Sequence, residues 1–156
     1  MEEWVEIARQ LMLGLLQRMG IETEVEAAER EGDIYLEVKG DQEGILIGKH
    51  GRTLESLQIL INRMVNKQAR GPVRIILDVA GYKKRRADSL EKMAGRLAEN
   101  VKMTGRAVTI GPFSAHDRRI IHITLKEDPS VKTESLGEGE WKKLRIAPAS
   151  PSLPLD

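Results

Sequence analysis

Residues 44–58 read Gly-Ile-Leu-Ile-Gly-Lys-His-Gly-Arg-Thr-Leu-Glu-Ser-Leu-Gln, and this stretch decides the fold of the first half of the chain. Its centre, Gly48-Lys49-His50-Gly51, follows an apolar run and precedes an amphipathic segment over residues 52–69. Two glycines at this spacing let the backbone turn sharply and approach a partner closely, while Lys49, His50 and Arg52 supply cations. Unpaired amides at the start of the following helix would add partial positive charge. The stretch therefore predicts a loop that binds phosphate groups.

Length and composition are typical of a globular protein. Of the 156 residues, 40% are hydrophobic and 31% are charged, and no apolar run is long enough to span a bilayer. The acidic N-terminus has the pattern of neither a signal peptide nor a transit peptide, so we expect a cytoplasmic protein without membrane insertion. The absence of cysteine excludes disulfides, thiol chemistry and cysteine-bound zinc. No Gly-Lys-Ser/Thr nucleotide loop occurs, and neither a cofactor nor a metal is expected.

Charge is unevenly distributed along the chain, although the formal net charge is only +1. Residues 1–47 hold 12 acidic and 4 basic side chains, whereas residues 48–126 hold 6 acidic and 17 basic ones. A polyanion would be attracted to the basic middle of the chain. Two ordinary solvated surfaces explain the same counts equally well, so the motifs have to decide between these interpretations.

The first half of the chain predicts a unit that mixes helices and strands. Apolar residues at three- and four-residue spacing indicate a helix over residues 2–19, which ends at Gly20. A hairpin follows, with strands at residues 23–28 and 33–38, and then a short helix at 42–47. The glycine loop at 48–51, a long helix at 52–69 and a strand at 73–79 complete the unit. The buried stripe of the long helix is expected to consist of Leu54, Leu57, Ile61, Met64 and Val65.

This element order, together with residues 45–58, closely resembles a type II KH domain, with helices on one face of a three-stranded sheet. The resemblance implies binding of single-stranded RNA, through a loop that contacts phosphates and a groove that receives about four nucleotides. With one Phe, two Tyr and two Trp, the chain has few rings for stacking, so an aliphatic groove near Ile45, Ile47 and Leu54, together with hydrogen bonds, is expected to recognise the bases. The implied RNA-binding residues are Ile45, Ile47, Gly48, Lys49, His50, Gly51 and Arg52. A plain tight turn between two helices is the alternative.

The second half predicts another small unit of helices and strands. A basic cluster, Tyr82-Lys83-Lys84-Arg85-Arg86, opens an amphipathic helix that reaches about residue 101, and a strand follows at residues 107–110. Cations at the start of a helix oppose its dipole, which hints at a use outside the fold, although a solvated face explains any one of them. Ser114-Ala115-His116-Asp117 predicts a capping box at the start of the next helix. Residues 131–136 and 141–146 indicate a final hairpin.

Within that next helix, Arg118 and His122 lie four residues apart and share one face. This Arg-x-x-x-His pattern resembles the R-three-H domain, a family that binds single-stranded nucleic acid. The implied second nucleic-acid site consists of Arg118, Arg119, His122, Lys83, Lys84, Arg85 and Arg86. For His122, a contact with phosphate and a structural hydrogen bond both remain open. A hydrolytic site built on His116 and Asp117 is disfavoured, because neighbouring residues on a helix face different ways.

The pairing of the two domains resembles the bacterial Jag family, also called KhpB or EloR, up to about residue 146. Many Jag proteins carry a further N-terminal domain, whereas this sequence starts at the KH helix. We expect an α+β protein with a KH domain at residues 1–80, an R-three-H domain with a three-stranded sheet at 81–147 and a disordered tail at 148–156. The resemblance implies a non-enzymatic protein that binds single-stranded RNA, or single-stranded DNA, and regulates envelope growth or division after transcription. The alternative is an interaction scaffold that dimerises with another small KH protein.

Overall fold

The computed structural model of the chain describes residues 1–41 and 44–150. The chain divides into two units, the first over Met1–Lys83 and the second from Lys84 onward, and each is described by itself. The domain limits of 1–80 and 81–147 stay predictions, because a structural division does not establish which segment folds alone.

The first unit places helices and strands in the predicted order. Their bounds are α1 Glu2–Arg18, β1 Val25–Arg30, β2 Asp33–Val38, α2 Arg52–Gln68 and β3 Ile75–Val79. In the sheet, β2 lies in the centre, antiparallel to β1 and parallel to β3. A parallel pair needs a crossover connection, and here that connection carries the glycine loop, a single 3-10 turn at Lys49–Gly51, and α2.

Both helices cover the same face of this sheet. Along β2, the buried side chains of Ile34, Leu36 and Val38 alternate with Tyr35 and Glu37, which lie on the opposite face. The helices add to this core the side chains of Ala8, Met12, Leu16, Leu54, Leu57, Ile61 and Val65. The predicted arrangement, helices on one face of a three-stranded sheet, is confirmed.

Three details of the prediction are corrected. A short helix was expected over residues 42–47, but its described part, residues 44–47, is a turn. Gly44 at the start of this turn and Gly48 directly after it adopt φ values of +67° and +69°, outside helical geometry. Met64 is only half-buried, since Ile61 takes the centre of the buried stripe. The strand β3 begins two residues later than expected, because the backbone of Val73 bonds to the Asn66 side chain instead of to β2.

The second unit is built from the remaining elements. Their bounds are α3 Tyr82–Thr104, β4 Val108–Phe113, α4 Ala115–Leu125, β5 Val131–Leu136 and β6 Lys142–Pro148. The first two residues of α3 belong to the first unit. The sheet is antiparallel throughout, with β6 between β4 and β5. Apolar side chains of α3, α4 and the sheet form one core. The predicted second α+β unit with a three-stranded sheet is confirmed.

The final strand extends beyond the expected hairpin. Pro148, assigned to the disordered tail by its composition, is the last residue of β6 and pairs with Val131, and the amide of Ala149 donates to the carbonyl of Ser130 at 3.0 Å. A proline is tolerated here because it ends the strand. The rest of the expected tail, residues 151–156, lies outside the described residues.

Candidate nucleic-acid interface

The turn that leads into the glycine loop is held by the carboxylate of Asp41. Its Oδ1 accepts a hydrogen bond from the amide of Leu46 at 3.1 Å, and its Oδ2 accepts one from the amide of Ile47 at 3.0 Å. The amide of Gly48 donates to the carbonyl of Gly44 at 3.0 Å and closes the turn. Sequence reasoning missed Asp41, although an Asp shortly before a glycine is a known signal for a side-chain-capped turn.

The two glycines of the loop are required by the fold itself. Gly48 has φ +69° and Gly51 has φ +80°, a region that side chains disfavour. A Cβ on Gly48 would lie 2.9 Å from the Cβ of Thr53, and one on Gly51 would lie 2.7 Å from Cε1 of the Tyr82 ring. The close approach that the sequence predicted toward a partner is therefore, in the first place, a close approach within the protein.

The helix amides beside the loop are already used, which corrects the expectation that they bind an anion. The amide of Arg52 donates to the carbonyl of Lys49, and the amides of Thr53 and Leu54 donate to the carbonyl of Ile47 at 3.1 and 3.2 Å. The loop folds back and caps α2 from inside the chain. Attraction for phosphate therefore depends on side chains and on the helix dipole.

The cationic side chains of the loop face solvent. Lys49, His50 and Arg52 are exposed, and His50 adopts φ +56°. Ile45 is 47% exposed and borders a groove of about 390 Å³. The other groove residues are Met19, Gly20, Ile21, Glu22, Thr23, Gly40 and Asp41.

Of the expected aliphatic residues, only Ile45 stands clear of the core. Ile47 is half-buried against the core, and Leu54, which is 4% exposed, belongs to the core. Of the three expected groove residues, Ile45 lines this groove, and the base-binding groove stays a prediction.

Three side-chain amides tie α2 to the edge strand of the sheet. Gln58, Asn62 and Asn66 follow each other at four-residue spacing and face β3. Asn62 Oδ1 accepts from the amide of Ile75 at 2.8 Å and its Nδ2 donates to the carbonyl of Ile75 at 2.9 Å, and Asn66 bonds Val73 in the same way. Gln58 accepts from the amide of Leu77 at 2.6 Å. This amide ladder fixes the helix that carries the loop, and only its periodicity was visible in the sequence.

Arg118 is the structural centre of the second cluster. The residue is 9% exposed, and its Nε, Nη1 and Nη2 donate to the carbonyl of Phe113 at 3.3 Å, to Ser135 Oγ at 3.1 Å and to the carbonyl of Glu140 at 3.0 Å. It thereby connects α4 to β4 and to both ends of the final hairpin loop. This geometry favours a positioning role over the expected phosphate contact.

His122 lies beside Arg118 and is half-buried. Its Nδ1 is hydrogen-bonded to Thr133 Oγ1, and its Nε2 lies 3.3 Å from Ser135 Oγ, the hydroxyl that Arg118 also contacts. Burial, and after it the charge of Arg118, lower the pKa of His122 below its ordinary value of 6.5. The neutral ring is therefore favoured, which weakens the case for a charged contact with phosphate. Ser135 was not singled out from the sequence.

A shallow cleft of about 340 Å³ adjoins His122, and it is more accessible than Arg118. It is lined by His122, Ile123, Leu125, Lys126, Val131, Lys132 and Thr133. Ile123 is 58% exposed, and Lys126 and Lys132 are exposed cations at its border. Arg119, one turn before Ile123 on α4, is also exposed. Cations around an aliphatic surface suit a single strand, which makes this cleft a candidate contact surface of the predicted second site, beside Arg118 and His122.

The basic start of α3 does not act as one patch. Arg86 forms a shielded ion pair with Asp117, with Nη2 and Oδ2 separated by 2.8 Å, while Lys83 and Lys84 are exposed. Asp117 also donates its amide to Ser114 Oγ at 3.2 Å, which confirms the expected cap. Partial shielding of the Lys83 ammonium from water lowers its pKa. The negative charge of Asp78 opposes this shift, and the positive charge of Arg74 adds to it. Arg85 is exposed, and it too interacts with another group of the protein.

Comparison with known proteins agrees with both halves of the structure. Residues 5–77 match the family "KhpA/KhpB, KH domain", and residues 88–148 match the R-three-H domain family. The fold and the glycine loop thus define a protein that joins a KH domain to an R-three-H domain. Both domains are present in this order, and over most of its length the chain is similar to proteins named RNA-binding protein KhpB.

Several proteins that are similar to this chain are named RNA-binding protein KhpB. The chain is 41% identical over 129 residues to that of Clostridium symbiosum, which covers 83% of this chain and 58% of the relative. It is 30% identical to the protein of Bacillus subtilis, over 80% of this chain and 61% of the relative. It is also 30% identical to the protein of Lactiplantibacillus plantarum, over 87% of this chain and 42% of the relative. The chain thus spans about half the length of these relatives.

Two other kinds of feature are absent from the part of the chain that the structure describes. Within residues 1–41 and 44–150, no helix has the length and apolar composition to cross a bilayer. Among the same residues, no three His, Cys, Asp or Glu side chains group together as metal ligands would.

Proposed function

We propose that this protein binds single-stranded RNA and that Lys49 and His50 contact the phosphate backbone. The observation that carries this proposal is the loop itself: the side chains of Lys49 and His50 are exposed on a turn whose backbone is held by Asp41 and by the capping bonds to Ile47. A preorganised loop loses little entropy on binding. The names of the relatives support RNA as the ligand.

The experiment compares a loop variant with a control whose change in charge is at least as large. In the loop variant, Lys49→Asp and His50→Asp place carboxylates on the loop, and in the control variant, Arg30→Asp and Lys92→Asp do so at exposed positions elsewhere. Binding of fluorescent single-stranded RNA is measured by anisotropy. We expect a loss of about tenfold or more for the loop variant and little change for the control. Unchanged binding in a loop variant with unchanged thermal unfolding would exclude this loop as the RNA contact.

The second unit contributes a further nucleic-acid surface. Arg119, Lys126 and Lys132 surround the cleft beside His122, with Arg118 and His122 holding the surrounding segments in place. Lys83, Lys84 and Arg85 are further candidates at the start of α3, whereas Arg86 is held by Asp117. Single-stranded DNA can be accommodated by the same chemistry, so the relative affinity for RNA and DNA of equal sequence tests this preference.

The proposed cellular role is inferred from the family resemblance. The protein acts in the bacterial cytoplasm as a non-enzymatic, post-transcriptional regulator of gene expression, in a pathway of envelope growth or division. Crosslinking in cells followed by sequencing of the bound RNA tests this role. Recovery of no RNA above the level of the loop variant would contradict it.

A protein-interaction scaffold is the second candidate function. The observation in its favour is a pair of exposed aliphatic side chains on α2, Ile59 at 56% and Leu60 at 43%. Dimerisation with another small KH protein would cover them. A salt titration separates the two functions, because binding to phosphate weakens steeply with ionic strength and an apolar interface does not.

A further inference from the structure

The two edges of the first sheet differ in how their backbone groups are covered. At the β3 edge, the amide ladder bonds the backbone of Ile75 and Leu77. The other edge is β1, which pairs only with β2. All six residues of β1 are regular, without a proline or a shift of register, so this strand keeps the geometry that pairing with a further strand requires.

The hairpin turn shows which backbone groups of β1 face outward. The two-residue turn at 31–32 has φ values of +52° and +85° and joins Arg30 to its partner on β2. Residues that flank such a turn exchange both backbone hydrogen bonds, and this pattern alternates along the strand. The amides and carbonyls of Arg30 and of every second residue before it therefore face β2, whereas those of Ala27 and Glu29 face outward.

The side chains of β1 add a charge pattern to this edge. Val25 and Ala27 pack against the core, so Glu26, Ala28 and Arg30 lie on the opposite, open face of the sheet. All three are exposed. Along this face the strand thus presents an acidic, a small and a basic side chain in turn. This order is complementary to itself when a second β1 runs antiparallel to the first.

A groove beside β1 provides access to this edge. It has a volume of about 600 Å³ and is lined by five of the six residues of β1. Arg9 of α1 borders it on the helix side, and Tyr35 and Ile76 border it on the open face. The guanidinium of Arg30 lies 5.3 Å from the centre of the Tyr35 ring, which keeps this cation on the open face.

We propose that β1 pairs with β1 of a second copy of this chain, antiparallel and centred on Ala28. In this register, Ala27 of each copy exchanges backbone hydrogen bonds with Glu29 of the other copy. Glu26 of each copy lies directly opposite Arg30 of the other, and the two Ala28 side chains meet at the two-fold axis. The two three-stranded sheets become one sheet of six strands.

The charge pattern favours a second copy over other occupants. If the pair were centred on Glu26, or if the strands ran parallel in register, like charges would face each other and destabilise the pair. A nucleic-acid strand is disfavoured, because Glu26, Glu37 and Asp78 form an acidic row across the open face that repels phosphate. Glu26 also forms an exposed ion pair with Lys39 at 2.7 Å, and such pairs are weak enough to leave its carboxylate available.

This pairing uses neither the glycine loop nor α2, so it does not depend on the proposed function. Variants of β1 are therefore expected to bind short RNA as the original protein does.

Single cysteines test the register directly, because the chain has no cysteine of its own. Ala28→Cys should form a disulfide-linked dimer on mild oxidation, since the two α-carbons at the axis lie about 4.5 Å apart, within disulfide range. Glu26→Cys, on the same face, is the matched control. Its two copies lie about 14 Å apart along the strands, so it should crosslink about tenfold more slowly or less. Equal rates at the two positions, or a faster rate for Glu26→Cys, would overturn the proposal.

Sedimentation velocity of the full chain measures the dimer without a crosslink. Arg30→Glu should weaken it about tenfold or more, because two carboxylates then face each other, and adding Glu26→Arg to that variant should restore it. Lys92→Glu, an exposed change outside β1, is the control for net charge. A chain that stays monomeric at all concentrations, or a double variant no better than Arg30→Glu, would refute the pairing. A dimer that survives Arg30→Glu and is lost on Ile59→Ser with Leu60→Ser would assign self-association to α2 instead.

Discussion

At the scale of single residues, Gly51 is a position of the proposed binding loop that the fold itself requires to be glycine. The Tyr82 ring lies against it so closely that a Cβ would come within 2.7 Å of Cε1, and its φ of +80° disfavours any side chain. The same small residue keeps the loop tight next to Lys49 and His50. A substitution at Gly51 is therefore expected to lower the stability of the fold, whatever it does to ligand binding.

We predict that Gly51→Ala destabilises the first unit by about 1–3 kcal/mol, because it combines backbone strain with a clash. Urea unfolding followed by circular dichroism measures the change. Gly14→Ala is the matched control: Gly14 lies inside α1, and a methyl group added there would meet nothing within 4 Å, so that substitution should stabilise by about 0.4–1 kcal/mol. A Gly51→Ala protein as stable as the original would refute the steric argument.

His122 makes stability depend on pH. Because burial and Arg118 lower its pKa in the folded protein, the unfolded chain binds the proton more readily. The free energy of unfolding should therefore decrease as pH falls below about 6.5, the ordinary value, and the decrease should continue down to the lowered pKa. Thermal unfolding between pH 7.5 and 5 measures this effect.

The control for this pH dependence is His122→Asn, which removes the titrating ring and leaves a polar side chain near Thr133. That variant should lose the part of the acid destabilisation that comes from His122. An identical pH profile in both proteins would mean that the ring is not shielded in solution.

At the scale of elements, the amide ladder explains how α2 and β3 hold each other. Asn62 satisfies both backbone groups of Ile75 on the edge strand β3, and Asn66 satisfies those of Val73, two residues before that strand. An open edge would otherwise pair with another strand. The ladder thus closes this edge and sets the direction of the helix that follows the loop.

We predict that Asn62→Ala destabilises the first unit by about 1–3 kcal/mol, since the amide of Ile75 loses its acceptor. Hydrogen exchange should show faster exchange at Ile75 than at Leu77, whose amide is bonded to Gln58. Gln68→Ala, an exposed change near the end of the same helix, serves as the control and should be nearly neutral. Equal stability of the two variants would speak against the ladder.

At the scale of the whole molecule, two modest nucleic-acid sites on one chain gain affinity together when one strand reaches both. The first proposed site is the glycine loop, and the second proposed site is the cleft bordered by Lys126 and Lys132, near Arg119. Binding at one site raises the effective concentration of the strand at the other. The gain exists only for RNA that is long enough.

We predict that Arg119→Glu with Lys126→Glu weakens binding of long single-stranded RNA much more than binding of short RNA. Anisotropy titrations on both lengths measure the difference. These exposed residues are preferable to Arg118, whose removal would leave the carbonyls of Phe113 and Glu140 without their donor and destabilise the unit. Equal losses on both lengths, or none, would contradict a two-site arrangement.

Local patterns in the sequence were enough to predict most of the fold. Helical spacing predicted α1, α2 and α3, alternation predicted β2, and the Ser114 cap predicted the start of α4. These signals depend only on residues within a few positions of one another, so no knowledge of the fold was needed. The position of the glycine loop followed in the same way.

The roles of the side chains around those elements depend on the tertiary structure. The order of elements, the basic residues of the loop and the Arg-x-x-x-His spacing could be read from the sequence. Only the fold showed that the carbonyl of Ile47 caps α2, that Arg118 donates to three acceptors, and that Pro148 is a paired residue at the end of β6. The physical reason is that burial and hydrogen-bond partners come from segments distant in the chain, which local periodicity does not specify.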